Sequence, residues 1–446
     1  MANTISFNAS DPDITQSDVL YARALGLIPS QTQTLAKGAG QYVRGVAPKF
    51  VDRAKGAHLW DVDGNEFIDY NMGIGPISLG YAYSRVDEAI RAQLERGITF
   101  SLVHPLEVEV AELIREVVPN AEMVRYSKSG NDVTSAAVRL ARAFTGRDTV
   151  LCCGYHGWHD WYIATTDRNR GIPRAVQDLS YTINYNDLES VIDALDDDTA
   201  CVILEPVVFD EPKNRFLHEL KAVCERNGTL LIFDEMWTGF RLALGGAQEY
   251  FDVKADLACF SKAVANGMPL SVLTGRADVM SLLEQDVFFY TTFGGEALSL
   301  AAAKATIEEM RAQPVHEHLF RLGARLRDGF NAIAAQVSMP YAHCKGYACR
   351  SIVTFDASAG NPLFLKSFMQ QELVRRGILW AGFHNMSYSH SDADVEHTLA
   401  AYGEVLPLLK AAVEANAVAS LLRGEPVEAV FRRVGNFHTK ARHTAA

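Results

Sequence analysis

From about Glu122 onward, short apolar runs alternate with amphipathic ones: EMVRYS, DVTSAAVRLARAF, TVLCC, DLESVIDAL, ACVILEP, RFLHELKAVCERNG, TLLIFDE and LACFS. Strand and helix alternating in this way predicts a mostly parallel sheet covered on both faces. Two of the strands, CVILEP and LLIFDE, stay apolar until their carboxyl ends, where acids appear. Ligands of open α/β sheets bind at that edge. Upstream the pattern differs. A short helix near residues 17–26 precedes HLWDVDGNEFIDY, in which Asp63-Gly64 separates two alternating runs as a β-hairpin turn would. Helical periodicity follows at 84–96 and 106–118, the second ending at Pro119. Downstream, helical stretches at 297–311 and 315–337 lead into strands near 349–355, a helix near 362–376, strands near Ile378 and Met386, and a helix near 392–409. The expected division is an N-terminal segment of helix and hairpin over 1–70, a large α/β domain over 71–312 and a small C-terminal α+β domain over 313–446. The polar stretch 382–391, with His384 and His390, is expected to face the site of the larger domain.

Composition narrows the function classes. With 42 Lys+Arg against 54 Asp+Glu the net charge is −12, and no basic stretch offers the footprint that a phosphate backbone needs. Nucleic acid and anionic membranes are not expected partners. No apolar run approaches the roughly 20 residues of a membrane span, and the first residues have neither a basic flank nor an apolar stretch, so a cytoplasmic location is expected. Seven scattered cysteines without a C-x-x-C pair indicate neither a disulfide framework nor a metal site.

Four features at successive strand ends carry chemistry. Ser129-Gly130-Asn131 follows a strand and opens a long helix, where backbone N–H groups and a hydroxyl can take a phosphate; the same residues also read as a plain N-cap. Tyr155, in GYHG after TVLCC, can stack on a flat ring or pack in the core. Asp234 is a carboxylate closing an apolar strand, placed to meet a protonated pyridine nitrogen or to cap the next turn. Lys262, after LACFS, can form a Schiff base with an aldehyde or be merely solvated. Taken jointly, a phosphate cradle, a stacking ring, an acid and a lysine point to pyridoxal 5′-phosphate.

The chain resembles the class III pyridoxal-phosphate aminotransferases of fold type I, most closely the glutamate-1-semialdehyde 2,1-aminomutase branch, through AKGAHLWDVDGNEFIDY, YHG, LLIFDEMWTGFR, LALGGAQEYF, FSKAVANGMPL and TTFGG. The resemblance implies an enzyme with a large mostly parallel sheet domain that binds the cofactor and a smaller α+β domain. It implies that Ser129, Gly130 and Asn131 hold the phosphate, Tyr155 stacks on the ring, Asp234 pairs with the ring nitrogen and Lys262 is the Schiff-base lysine. Met236 would pack on the opposite ring face. Thr292 matches the residue that reaches the phosphate of the neighbouring subunit, which implies a homodimer with shared sites.

Some positions depart from the family pattern. Asn131 stands where Thr or Ser is usual, Met236-Trp237 replaces Val followed by Gln or Met, and Glu296-Ala297 replaces Asn-Pro. On the substrate side, AGFHNMSYSHSD lacks the acid of the mutase and Ile74 replaces its aromatic. Arg44 falls where the mutase binds a carboxylate, although it reads equally as a surface arginine. Trp158 and Trp161 lie in the long segment 156–173, a lid or a subunit contact, where Arg168 and Arg170 are further candidates for a substrate carboxylate. The expected activity is amino transfer between an external donor and a carbonyl acceptor, with intramolecular aminomutase chemistry as the alternative. A silent homologue that keeps only the fold is disfavoured by the presence of both Lys262 and Asp234.

Overall fold

In a computed structural model, residues 10–429 and 439–440 are described. They divide into two compact units, one of Ser84–Gln313 with residues 439–440 and one of residues 10–83 with residues 314–429.

The unit of Ser84–Gln313 is built on a seven-stranded sheet. Its order is Met123–Ser127, Ser271–Gly275, Leu257–Phe260, Leu230–Asp234, Thr199–Leu204, Thr149–Cys153 and Ser180–Thr182. Ser271–Gly275 runs antiparallel to both neighbours, and the remaining pairs are parallel. Every residue of Thr199–Leu204, Leu230–Asp234 and Leu257–Phe260 is buried, which requires cover on both faces. The helix Gly130–Thr145 supplies part of that cover. It starts in a capping box, with Ser129 accepting from the Asn131 N–H and Asp132 answering the Ser129 N–H, and it ends at Gly146 in the left-handed conformation. The helix Ala297–Ala312 is capped by Glu296, which accepts from the N–H groups of Leu298 and Ser299 and also takes the Lys128 ammonium at 2.7 Å. An acid therefore serves as the N-cap of this helix.

The other unit joins the hairpin strands His58–Asp61 and Glu66–Asp69 to Val51–Lys55 on one side and to Ile378–Leu379 on the other, the last pair parallel. A second, antiparallel sheet holds Ala342–Tyr347, Arg350–Phe355 and Phe383–Asn385. The helices Val315–Gln336, Pro362–Arg375 and Asp392–Glu414 pack with them. The stretch 382–391 is spent inside this unit. His384 lies within hydrogen-bonding reach of Ser351 and Tyr402, and His390 of Ser387. Burial depresses both imidazoles, to about 3 and about 4, so they are neutral and belong to the core of their own unit.

No helix among the described residues is long and apolar enough to cross a membrane.

Candidate active site

The parallel strands of the larger sheet all end on one edge, and the chemistry-bearing residues leave from it. Asp234 is the last residue of its strand, in register with Cys259 of the next, and Lys262 follows three residues after Cys259. Cys153 is in register with Leu204, so Tyr155 and His156 emerge beside Glu205 at the same edge. Ser129 and Gly130 begin their helix just after Met123–Ser127. The structure thus brings Ser129, Gly130, Tyr155, Asp234 and Lys262 to one sheet edge.

Asp234 is fully enclosed. Its Oδ2 lies 2.8 Å from His156 Nδ1, and its Oδ1 accepts the Met236 N–H at 3.1 Å. Burial raises its carboxyl above the ordinary value, while the His156 bond pulls it back down. The His156 ring is fixed in turn: Nε2 lies 3.1 Å from the Cys153 carbonyl, and the ring stacks on Trp161 with 6.0 Å between centroids. His156, held against Asp234 at this edge, was passed over in the sequence reading although it stood inside the GYHG motif. Its signal was a histidine three residues past a strand end, with an acid closing another strand of the same sheet.

Tyr155 is 40% exposed, so its ring is presented rather than buried, and its N–H is held by Glu205 Oε1 at 2.8 Å. Met236 packs against the start of the phosphate-type helix; a Cβ at Gly130 would stand 2.8 Å from its sulfur. Lys262 opens a short 3-10 turn with φ 49°, a left-handed conformation that is uncommon for non-glycine residues.

Asn131 has a bracing role. Its Nδ2 donates to Ser129 Oγ at 2.9 Å and its Oδ1 accepts the Trp158 N–H at 2.6 Å, tying the helix start to the turn after Tyr155. The segment 156–173 does not behave as one lid. Trp161 is buried in the core, with Nε1 donating to Ser135 Oγ at 2.9 Å, which removes it from the expected lid and contact roles; Trp158 is 67% exposed. Arg168 and Arg170 are exposed. Trp237, one of the departures from the family pattern, is buried and donates to the Val207 carbonyl at 2.8 Å. Thr292 is exposed in its TTFGG turn. Arg44 belongs to the other unit, where its guanidinium meets Glu425 at 2.5 Å and Glu428 at 3.4 Å.

Residues 41–386 match the sequence pattern of the family Aminotransferase class-III. The chain belongs to the class III aminotransferases. Among relatives of this class III chain, a glutamate-1-semialdehyde 2,1-aminomutase of Syntrophobacter fumaroxidans is 33% identical over 89% of this chain and 98% of its own. A 3-aminobutyryl-CoA aminotransferase of Cloacimonas acidaminovorans is 32% identical over the same shares. The FumI protein of Sphingopyxis sp. MTA144, solved in a pyridoxal-phosphate form, superposes with a TM-score of 0.84 at 29% identity, covering 93% of this chain and 99% of that one. The fold is accordingly that of the fold type I pyridoxal-phosphate enzymes, the cofactor is pyridoxal phosphate and the reaction class is amino group transfer.

The side chains present fit that cofactor. A buried carboxylate keeps acceptor capacity on Oδ1 beyond the Met236 bond, a presented aromatic ring and a lysine share its edge, and a capped helix N-terminus opens there.

Proposed function

We propose that this class III enzyme moves the amino group between two separate molecules, a donor and a carbonyl acceptor, and works as a homodimer. The observation that carries the choice is the occupation of Arg44: Glu425 and Glu428 already neutralise the one arginine that the mutase pattern would use for a substrate carboxylate. The absence of an arginine between Arg376 and Arg423 and the enclosure of His384 and His390 within their own unit agree with it. The mutase reading has the names of relatives such as that of Syntrophobacter in its favour.

Bound pyridoxal phosphate supplies an aldehyde that takes up the amino group and a ring that withdraws electrons. Lys262 Nζ anchors the aldehyde, and once released it carries the proton at the reacting carbon. Asp234 would hold a proton on the ring nitrogen, and His156 orients Asp234 and opposes the upward pull of burial on its carboxyl. Ser129, Gly130 and Asn131 would hold the phosphate, and Tyr155 and Met236 would flank the ring. Trp158 remains the candidate at the substrate mouth.

The dimer reading is supported by apolar surface on the larger unit. Leu102 is 85% and Phe288 74% exposed, with Val103, Tyr290 and Phe293 also exposed, and the Ala297 N–H bonds the Ile98 carbonyl to hold the two segments together. Thr292 lies within this surface and would serve the phosphate of the other copy.

The deciding experiment presents the aminated holoenzyme with separate keto acids and follows the return of the visible absorption band. Restoration by an external acceptor, with ping-pong kinetics, supports the transaminase. Conversion of glutamate-1-semialdehyde to 5-aminolevulinate with no acceptor able to restore the band would establish the mutase instead.

A further inference from the structure

The unit that contains the hairpin holds a cavity of about 360 Å³, and every residue lining it belongs to that unit. This is within the range of small-molecule sites, roughly 300–1,000 Å³. The walls are mainly apolar, with Phe50, Val51, Ala54, Leu59, Ile74 and Leu379 among them.

One ionisable group interrupts those walls in a telling way. Asp69, at the end of the strand Glu66–Asp69, is almost wholly enclosed and lines the cavity. Its carboxylate accepts from the Asn71 N–H at 2.7 Å, the Met72 N–H at 3.1 Å and the Tyr81 hydroxyl at 2.7 Å. All three donors are neutral. Burial pushes Asp69 up to about 6 and no cation acts on it, so at neutral pH it is a buried, mostly ionised group without a counter-charge. Buried carboxylates in proteins are ordinarily paired. Of the lysines on the lining, Lys49 is held by Asp18 at 2.5 Å and Lys37 is exposed.

The backbone gives a second observation. Met72, Gly73, Ile74 and Gly75 are four consecutive residues at positive φ, of 45°, 64°, 72° and 92°. For a β-branched residue such as Ile74 this is a true outlier. Asp69 pins the start of the run through Asn71 and Met72, and the run sets Gly73 and Ile74 into the cavity wall. Backbone held in this way clusters at ligand clamps and active sites.

We propose that this cavity binds an organic cation with an apolar body, an aliphatic amine whose ammonium pairs with Asp69 while its chain lies along the apolar walls. The rings of Tyr42 and Tyr81, both on the lining, offer further faces to the positive charge. The inference draws on neither Lys262 nor Asp234, and because Ile74 on the lining is a position that the mutase pattern puts on the substrate side, the test follows the cofactor absorption separately from binding.

The test is calorimetric titration of the holoenzyme with N,N-dimethylhexylamine, which is charged at neutral pH but cannot condense with an aldehyde, against 1-hexanol as the uncharged counterpart. The amine should bind about tenfold or more tighter than the alcohol. Its affinity should fall as the pH drops below about 6 and Asp69 takes up a proton, and the absorption of the bound cofactor should not change. Asp69→Asn should bring amine and alcohol to within about twofold of each other. Because that substitution also loosens the turn at 71–75, Ala54→Leu serves as a second variant: it fills the cavity, leaves Asp69 in place and should weaken the amine about tenfold. Equal affinity of the wild type for amine and alcohol, amine binding untouched by Ala54→Leu, or a change in cofactor absorption at saturation would overturn the proposal.

Discussion

His156 Nδ1 stands 2.8 Å from Asp234 Oδ2, and neither side chain is in contact with solvent. The pair works in one direction: the histidine bond opposes the upward pull of burial on the Asp234 carboxyl. His156→Phe is expected to keep the fold, lower kcat and move the acid limb of the pH–rate profile to higher pH. A rate profile lowered at all pH values without movement of that limb would reduce His156 to a packing residue.

Asp234→Asn removes the charge that a protonated ring nitrogen needs. Loss of an active-site electrostatic partner costs about 2.7–4 kcal/mol, or 10²–10³ in kcat. Steady-state rates on the purified variant measure this, and activity within a few-fold of wild type would mean that another group meets the nitrogen.

Lys262→Ala should abolish turnover while the cofactor remains bound without a covalent link to the chain. Borohydride treatment followed by mass spectrometry reads the link directly: wild type should gain the mass of the reduced cofactor adduct and the variant should not.

Gly157 has φ 108°, and a Cβ there would stand 1.7 Å from Asn131 Oδ1. Gly157→Ala should therefore break the bond from Asn131 to the Trp158 N–H and cost about 1–3 kcal/mol, mostly as strain. Adding Asn131→Ala removes the clash but not the strained φ, so the double variant should recover part of the loss. Thermal unfolding of the two single variants and the double variant closes the cycle.

His58 lies between Glu66 at 2.9 Å and Asp394 at 3.0 Å, bracing the hairpin against the start of the helix Asp392–Glu414. The contacts with His58 and with the Ser391 cap hold Asp394 at about 2, below its ordinary 3.8, so its contribution is present above pH 3.8 and lost as pH falls toward 2. His58 is raised, so its share is present below 6.5 and lost as pH rises through its folded value. The difference in stability between wild type and Asp394→Asn should thus be greatest from about pH 4 to 6.5, near 2 kcal/mol, and shrink on either side. Thermal unfolding across pH 3 to 8 measures it.

The hairpin was legible because Asp63-Gly64 supplies the turn chemistry, with Gly64 at φ 90°, between two runs of period two. The carboxyl-edge site was legible for a similar reason, since apolar strands that end in an acid, an aromatic or a lysine announce their own edge. The strand Ser271–Gly275 was not read: five residues after a Gly-Met-Pro turn carry too short a pattern, and nothing local states that both its pairings are antiparallel. Trp161 and Trp158 look alike in composition, yet one is core and the other exposed, because that depends on Ser135 in a different element. Arg44 likewise looked available until the fold brought Glu425 and Glu428 to it.

The unit holding the hairpin is assembled from two stretches that the ribosome delivers far apart. Strand Glu66–Asp69 pairs in parallel with Ile378–Leu379, and the whole of Ser84–Gln313, 230 residues, lies between the two stretches of the unit. At about 5–20 residues per second, the hairpin waits roughly 12–46 s before the chain from Pro314 even begins to be made. During that interval its apolar face, Leu59 and Phe67 included, has no native cover from Val374 or Leu379. Nascent chains cut short before residue 378 should therefore be the species that chaperones hold, while the intervening Ser84–Gln313 unit is already free to fold.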